Sequence, residues 1–201
     1  MRKMGLKSAK ERLRRAHAAV KELESATSCD ARETAWSHFL LAANAVYSKL
    51  DEAARGCGKC TAWMGRKKHV RKTDELLRFI HQARNIDDHG ITGTVLHSAD
   101  FAIIKGPIYS IKPEIIGDRQ IRYTILGGLG SVVERTDYLS LHNVTDGRHG
   151  DTFTPPENHL GAPIRPGAKP GDLTRALDVA KLGVAYFDTL VAEAATLPEH
   201  F

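Results

Sequence analysis

A short segment near the middle of the chain gathers residue types that suit acid–base chemistry on a phosphate. It spans residues 84–89, Arg-Asn-Ile-Asp-Asp-His, and follows His81. An imidazole that titrates near neutral pH can accept or donate a proton, and a guanidinium can bind two phosphate oxygens at once. Cleavage of RNA by its own 2′-hydroxyl needs these two functions and no metal ion. The segment therefore predicts metal-independent phosphodiester chemistry, with no metal site and no cofactor.

The spacing of apolar residues predicts that this segment ends an amphipathic helix over about 73–89. A rotation of about 100° per residue gathers the apolar side chains on one side, although Leu77 falls within the polar arc. Thr73 is the predicted N-terminal cap, and Gly90 is placed to end the helix. The polar arc, about 140° wide by the same geometry, contains His81, Arg84, Asn85, Asp88 and His89.

An ordinary structural interpretation of the same residues stays open. Arg84 and Asp88 are four residues apart, a spacing at which a helix ion pair contributes a few tenths of a kcal/mol. Asn85 and His89 would then only help to end the helix. His81 is expected to be an exposed, solvated histidine. Asp88 either tunes its neighbours or repels RNA, since it carries a negative charge.

An arginine followed by a histidine near the end of a helix resembles the hallmark of the HEPN superfamily. That hallmark is Arg, four to six residues, then His, often with a polar residue directly after the Arg. Four stretches of this chain fit the bare pattern, namely 12–17, 32–38, 84–89 and 135–142. Of these, only 84–89 has Asn directly after its Arg and lies at the end of a third amphipathic helix.

The resemblance implies a helical bundle that forms a homodimer, in which Arg/His pairs from two subunits create a composite cleft for RNA. By that resemblance Arg84 stabilises the transition state, His89 is the acid/base, and Asn85 orients His89 or a phosphate, with His81 and Asp88 as possible support. The products would carry 2′,3′-cyclic phosphate and 5′-hydroxyl ends. Many such proteins act in toxin–antitoxin or phage-defence systems, so an antitoxin or defence partner is expected. The alternative is a non-catalytic HEPN-like module for dimerisation or for binding nucleic acid or a partner.

The elements that would position this segment make up a mainly α chain with one domain over residues 1–201. We expect a HEPN-like helical bundle with a small antiparallel β-sheet insertion over about 95–142. A long Pro/Gly-rich loop follows over 143–171, because five of the eight prolines lie there. Asp172 is the predicted cap of the last helix. Helices are predicted over about 5–27, 31–54, 73–89 and 172–197.

Positive charge is clustered in two stretches of the sequence. The net charge is +5, residues 1–28 hold eight Lys/Arg against three Glu, and residues 55–72 hold seven Lys/Arg and no acid. Clustered cations attract polyanions, although a solvated face explains them equally well on charge alone. A further hypothesis is nucleic-acid binding by the N-terminal helix without cleavage. The 55–72 stretch is predicted to be a basic loop whose cations contact RNA phosphates, through Arg66, Lys67, Lys68, Arg71 and Lys72.

Cysteine usage and hydropathy bear on the cellular compartment. The chain has only Cys29, Cys57 and Cys60, too few for a disulfide framework, so reduced thiols are expected. Cys57 and Cys60 have the spacing of half a zinc knuckle, but no second pair completes four ligands. No stretch has the apolar length of a membrane span, and the N-terminal residues lack the apolar stretch of a secretory signal. These features predict a cytoplasmic protein without membrane partners.

Two further sets of residues are weaker candidates. Trp63, within the basic stretch, has a face on which a base can stack, although burial is the commoner fate of so large an aromatic. The 143–171 loop and the preceding His142 together supply three histidines and two aspartates without a fixed ligand spacing, and polar loop composition explains them adequately. They are His142, Asp146, His149, Asp151 and His159.

Overall fold

The computed structural model describes residues 1–89, 94–116, 120–129, 131–145, 150–167 and 173–199, with the backbone alone for 87–89, 115–116 and 120–121. The predicted mainly helical character is confirmed in this part of the chain. No helix within it is long and apolar enough to cross a membrane. The helices are α1 (Lys3–Ser25), α2 (Cys29–Ala54), α3 (Gly58–Thr73), α4 (Glu75–His89) and α5 (Ala176–Ala195).

The first two helices form an antiparallel hairpin close to its predicted limits. Ser28 caps α2 by accepting a hydrogen bond from the Ala31 backbone N–H at 3.2 Å. The backbones of α1 and α2 approach closely where Gly5 faces Ala53. A Cβ at Gly5 would lie 2.5 Å from the Ala53 side chain, so only glycine fits there.

The predicted basic loop is wrong, because residues 58–73 form the helix α3. A short apolar pattern in this stretch is obscured by its many Lys and Arg residues and by Gly56 and Gly58 at its start. Cys60, Trp63 and Met64 recur at helical spacing and are all buried. The basic residues thus occupy the remaining sides of a helix, where their positions relative to one another are fixed.

The start of the helix that carries the candidate site also differs from the prediction. Thr73 is the last residue of α3, and its hydroxyl donates back to the His69 carbonyl at 3.1 Å. Asp74 is the cap instead, since its Oδ1 accepts a hydrogen bond from the Leu77 backbone N–H at 2.9 Å. Asp74 therefore ends α3 and begins α4.

The last helix closes the core against α1, α2 and α4. It begins at Ala176 rather than 172, and the predicted cap, Asp172, lies outside the described residues. Gly183 allows close packing, because a Cβ there would meet Ile80 and Phe39 atoms at 3.0 Å. The largest side chains of this core that are fully buried belong to α2, α4 and α5 and include Trp36, Phe39, Phe79 and Phe187.

The predicted β insertion forms a four-stranded sheet of β1 (Val95–Lys105), β2 (Ile108–Ile116), β3 (Gln120–Gly127) and β4 (Val132–Leu141). The strand order is β2-β3-β1-β4. Antiparallel pairing is confirmed for β1 with β4 and for β2 with β3. β1 and β3 are joined by one parallel pair, between positions 97 and 120, so the sheet is mixed at its centre.

Among the described side chains, one end of this sheet packs against the helices. Val95, Leu139 and Leu141 are buried there, and the Leu141 backbone N–H donates to the Thr174 carbonyl at 2.8 Å just before α5. At the opposite end Ile104 and Tyr109 are 60% and 73% exposed. The sheet is therefore anchored at the start of β1 and the end of β4 and extends away from the helical core.

The predicted long loop has regular pairing in its described parts. Residues 144–145 pair with 152–153 as β5 and β6, and residues 158–159 pair with 162–163 as β7 and β8. Gly161 has a φ of 81°, a conformation that suits glycine in the tight connection between β7 and β8. This proline-rich segment therefore contains two short two-stranded ladders.

Candidate functional site

The candidate site lies on the side of α4 opposite its apolar stripe. Leu77, His81 and Arg84 recur at four and three residues and so occupy one side of the helix. Leu77, which fell within the predicted polar arc, is only 2% exposed. Arg84 and the adjacent Asn85 are half-buried. The polar arc is thus partly covered by the chain itself, most completely at its Leu77 end.

His81 is not the exposed, solvated histidine that the sequence predicted. Its ring is half-buried, and its Nδ1 is buried with no hydrogen-bond partner among the described residues. Burial, together with the positive charges of Arg71 and Arg84, lowers the pKa of His81 to about 4. The imidazole is therefore neutral at pH 7.

The other residues of the predicted site are placed less completely. Asp88 and His89 belong to the last turn of α4, but their side chains lie outside the described atoms. Gly90, the predicted helix terminator, also lies outside the described residues. The structure thus brings His81, Arg84 and Asn85 together on one helix end and leaves the Arg84–His89 pairing as a prediction.

Two contacts that sequence reasoning missed fix the region in which α4 ends. The Trp36 indole N–H donates to the Thr94 hydroxyl at 2.9 Å, and both groups are buried. His97 Nε2 lies 2.8 Å from Glu33 Oε1, with both side chains mostly buried. These contacts hold the first turns of α2 beside the start of β1, which begins six residues after the last residue of α4. Because Glu33 and His97 are 64 positions apart, no local sequence pattern indicates their pairing.

The five basic residues proposed to contact RNA all lie on α3, where they differ in availability. Lys67 Nζ is 2.6 Å from Glu193 Oε2, and Lys68 Nζ is 2.7 Å from Asp51 Oδ1. The Arg71 guanidinium lies 4.6 Å from the centre of the Tyr47 ring. Arg66 and Lys72 are exposed. Trp63 is buried, with its indole N–H 3.1 Å from Glu193, so it is not a stacking platform.

Arg71 connects the α4 site to a polar network at the α3–α4 corner. The Tyr47 hydroxyl donates to the Tyr186 hydroxyl at 3.1 Å, and burial raises the pKa of both phenols. His159 packs edge-on against Tyr186, with 5.8 Å between ring centres. Both tyrosines are therefore neutral at physiological pH, and the charge near His81 is set by Arg71 and Arg84.

The histidines of the 143–171 segment do not form a metal site in the described part of the chain. His159 Nδ1 lies 3.0 Å from Asp74 Oδ1, and His142 Nδ1 lies 2.8 Å from the Asn143 carbonyl oxygen. His149 and Asp146 lie outside the described residues, whereas Asp151 is exposed. Across the described ranges no group of three or more His, Cys, Asp or Glu side chains is arranged to hold a metal ion.

A cavity of about 310 Å³ lies on the other side of α4. It is lined by Glu75, Arg78 and Phe79 together with residues 153–157. The Arg78 guanidinium packs over the Phe153 ring at 5.9 Å, and Glu75 accepts hydrogen bonds from the segment above it. Since no neutral histidine faces this cavity, it lacks the acid–base group that the α4 site contains.

Comparisons with known proteins return no relative. No protein-family model matches the chain, and neither the curated proteins nor the solved structures contain a match.

Proposed function

We propose that this chain is a metal-independent endoribonuclease whose site is the α4 surface that contains His81, Arg84 and Asn85, with His89 at the end of the same helix. The observation that carries the proposal is the placement of His81. The pKa of this half-buried imidazole is lowered first by burial and then by two guanidinium groups, those of Arg71 and Arg84. A neutral base beside two fixed cations is the combination that attack by a 2′-hydroxyl on phosphorus requires.

The chemistry follows from charge compensation. A phosphodiester bound near Arg71 and Arg84 offsets their positive charge and raises the pKa of His81 toward its ordinary range. His81 or His89 then removes the 2′-hydroxyl proton, and Arg84 stabilises the negative charge that develops on the phosphoryl oxygens. The other histidine, once protonated, donates to the departing 5′-oxygen. The products are a 2′,3′-cyclic phosphate and a 5′-hydroxyl.

The HEPN resemblance adds a second copy of the chain to this proposal. In a homodimer, two α4 ends would face one RNA strand and double the number of guanidinium and imidazole groups. An antitoxin or defence-system partner would then act by covering the same surface. These parts of the proposal depend on the resemblance in residues 84–89.

A second candidate function is a non-catalytic HEPN-like module that dimerises or binds RNA or a partner. The burial of Leu77 favours it over catalysis, because an α4 surface that is partly covered by the chain itself leaves less room for an RNA strand around His81. This module would bind RNA or its own copy equally well with or without a histidine at position 81 or 89. Catalysis and binding therefore have to be measured on the same variants.

The test is cleavage of labelled cellular RNA in excess chelator by wild type and by variants at Arg84, Asn85, His81 and His89. Arg32→Ala and His38→Ala are matched controls, because they remove another Arg/His pair with the same type of spacing from α2. Loss of cleavage in the α4 variants alone, with RNA binding retained, supports the ribonuclease. RNA binding without cleavage in wild type supports the non-catalytic module, and equal cleavage by every variant excludes the α4 site.

A further inference from the structure

Cys57 and Cys60 are joined by a disulfide at the start of α3, contrary to the expectation of reduced thiols. Cys57 is the N-terminal cap of the helix and Cys60 lies in its first turn. Only Gly58 and Lys59 separate the two cysteines, so the bond closes a very small loop. Such a short loop removes little conformational entropy from the unfolded chain, so the bond contributes little to stability.

The two sulfur atoms differ in access. Cys60 is fully buried, whereas Cys57 is half-buried. A Cβ placed on Gly58 would meet no atom within 4 Å, so the space beside Cys57 is open. Cys57 is therefore the residue of the pair that faces solvent, whereas an incoming thiolate cannot reach the fully buried Cys60. This difference in exposure makes Cys57 the residue that is attacked and Cys60 the leaving group.

The surroundings favour a negatively charged sulfur at this place. Cys57 Sγ accepts a hydrogen bond from the Cys60 backbone N–H at 3.3 Å, at the positive end of the α3 dipole. The nearby acids at the end of α2 are already paired, Asp51 with Lys68 at 2.7 Å and Glu52 with Lys49 at 2.8 Å. Residues 55–72 contain no acid. The sulfur therefore lies in a positive environment, the setting of reactive cysteines.

We propose that Cys57–Cys60 is a dithiol–disulfide exchange site for a small thiol of the glutathione class, independent of the proposed ribonuclease activity. A thiolate attacks Cys57 Sγ, the Cys57–Cys60 bond breaks, and Cys60 leaves as a thiolate that takes up a proton. A second thiolate attacks the outer sulfur of the mixed disulfide and releases Cys57 as a thiolate. Two electrons pass to the protein, and two small thiols become one small disulfide.

The test uses the full chain in buffers of varied reduced and oxidised glutathione, quenched with acid and analysed by alkylation and intact mass. We expect a reversible two-electron transition between the disulfide and dithiol forms, measured in Cys29→Ser so that only this pair reacts. In addition, Cys60→Ser accumulates a mixed disulfide on Cys57 at least tenfold faster than Cys57→Ser does on Cys60, provided that circular dichroism shows both folded.

Two results would overturn the proposal. One is a pair that stays oxidised, or stays reduced, at every glutathione ratio while the Cys29→Ser protein remains folded. The other is equal rates of mixed-disulfide formation at Cys57 and Cys60, since that would contradict the difference in access. The measurement in Cys29→Ser does not require that either single variant at 57 or 60 folds, so the proposal is tested even if both fail.

Discussion

His159 Nδ1 lies 3.0 Å from Asp74 Oδ1, and this pair joins the 150–167 segment to the corner between α3 and α4. The other carboxylate oxygen of Asp74 accepts a hydrogen bond from the Leu160 backbone N–H at 2.7 Å. The adjacent Glu75 accepts from the Asn158 backbone N–H at 3.0 Å. One turn of the chain thus caps α4, the helix that carries the candidate site, and anchors the segment that packs over it.

Replacing Asp74 by Ala should lower the free energy of unfolding by about 2 to 4 kcal/mol. The carboxylate caps α4, a contribution of about 1 kcal/mol, and its loss also leaves a mostly buried histidine and a backbone N–H without their partner. Urea unfolding measures the change. Thr73→Ala is the matched control, since its hydroxyl bonds only within its own helix and should cost less than about 0.5 kcal/mol. Equal effects of the two substitutions would show that the Asp74 contacts contribute little.

The fold was predictable where one periodicity dominates a long stretch. The stripe from Trp36 to Leu50 placed α2 within two residues of its observed start, and β-rich runs located the sheet. α3 was missed because its buried side is narrow, with only Cys60, Trp63 and Met64 among many cations. Contacts from distant residues help to hold this helix in place. Glu193, near the end of the chain, accepts a hydrogen bond from Trp63 and forms an ion pair with Lys67.

Stability should fall between pH 6.5 and pH 4 in a way that depends on His81. The pKa of His81 is lowered from 6.5 to about 4, so in this window the unfolded chain binds a proton that the folded chain does not. The stabilisation that neutral His81 provides is complete above pH 6.5 and is lost as the pH falls toward 4. Allowing for solvent screening of a half-exposed ring, it amounts to about 1 kcal/mol.

Urea unfolding of wild type and His81→Gln at pH 4.5, 5.5 and 6.5 measures this dependence. The glutamine variant should lose less stability than wild type across the series. His38→Gln is the control, because His38 is an exposed histidine of α2. Identical pH profiles for wild type and His81→Gln would contradict the placement of a neutral, part-buried imidazole beside Arg71 and Arg84.

An oligoanion should raise the pKa of His81 if phosphate binds beside it. A 2′-deoxy dinucleotide cannot be cleaved, so its complex is stable during an NMR titration of the histidine ring protons. Charge compensation at Arg71 and Arg84 should raise the pKa of His81 by about 1. In Arg84→Ala without ligand, the pKa of His81 should be higher than in wild type, and the dinucleotide should raise it less. If the dinucleotide leaves the pKa of His81 unchanged in wild type, phosphate does not bind at this surface.

The exposed cations of α3 should contribute to RNA affinity more than those of α1. Removing both Arg66 and Lys72 should weaken binding of single-stranded RNA about tenfold and reduce the salt slope by about 1.4, as expected for two phosphate contacts. Removing Lys7 and Lys10, which are exposed on α1, is the matched change. Filter binding over a range of salt concentrations measures both. A larger effect of the α1 pair would favour the hypothesis that the N-terminal helix binds nucleic acid.

The site was predictable only as far as residue type and helical spacing reach. The position of Arg84 and Asn85 on α4 followed from the helix, but the environment of His81 depends on Arg71 of a helix that was predicted to be a loop. The His97–Glu33 and His159–Asp74 pairs join residues 64 and 85 positions apart. Such contacts arise from packing of whole elements, which a single sequence does not specify locally.

The most direct test of the central claim is cleavage of an RNA oligonucleotide that carries one 2′-deoxy sugar at a mapped cut site, in excess chelator. Attack by the neighbouring 2′-hydroxyl predicts that wild type leaves the deoxy position intact and cuts the all-ribose strand there to a 2′,3′-cyclic phosphate. Arg84→Ala should cut neither strand. Cleavage at the deoxy position, or ends with a 5′-phosphate, would contradict the proposed mechanism at the α4 surface.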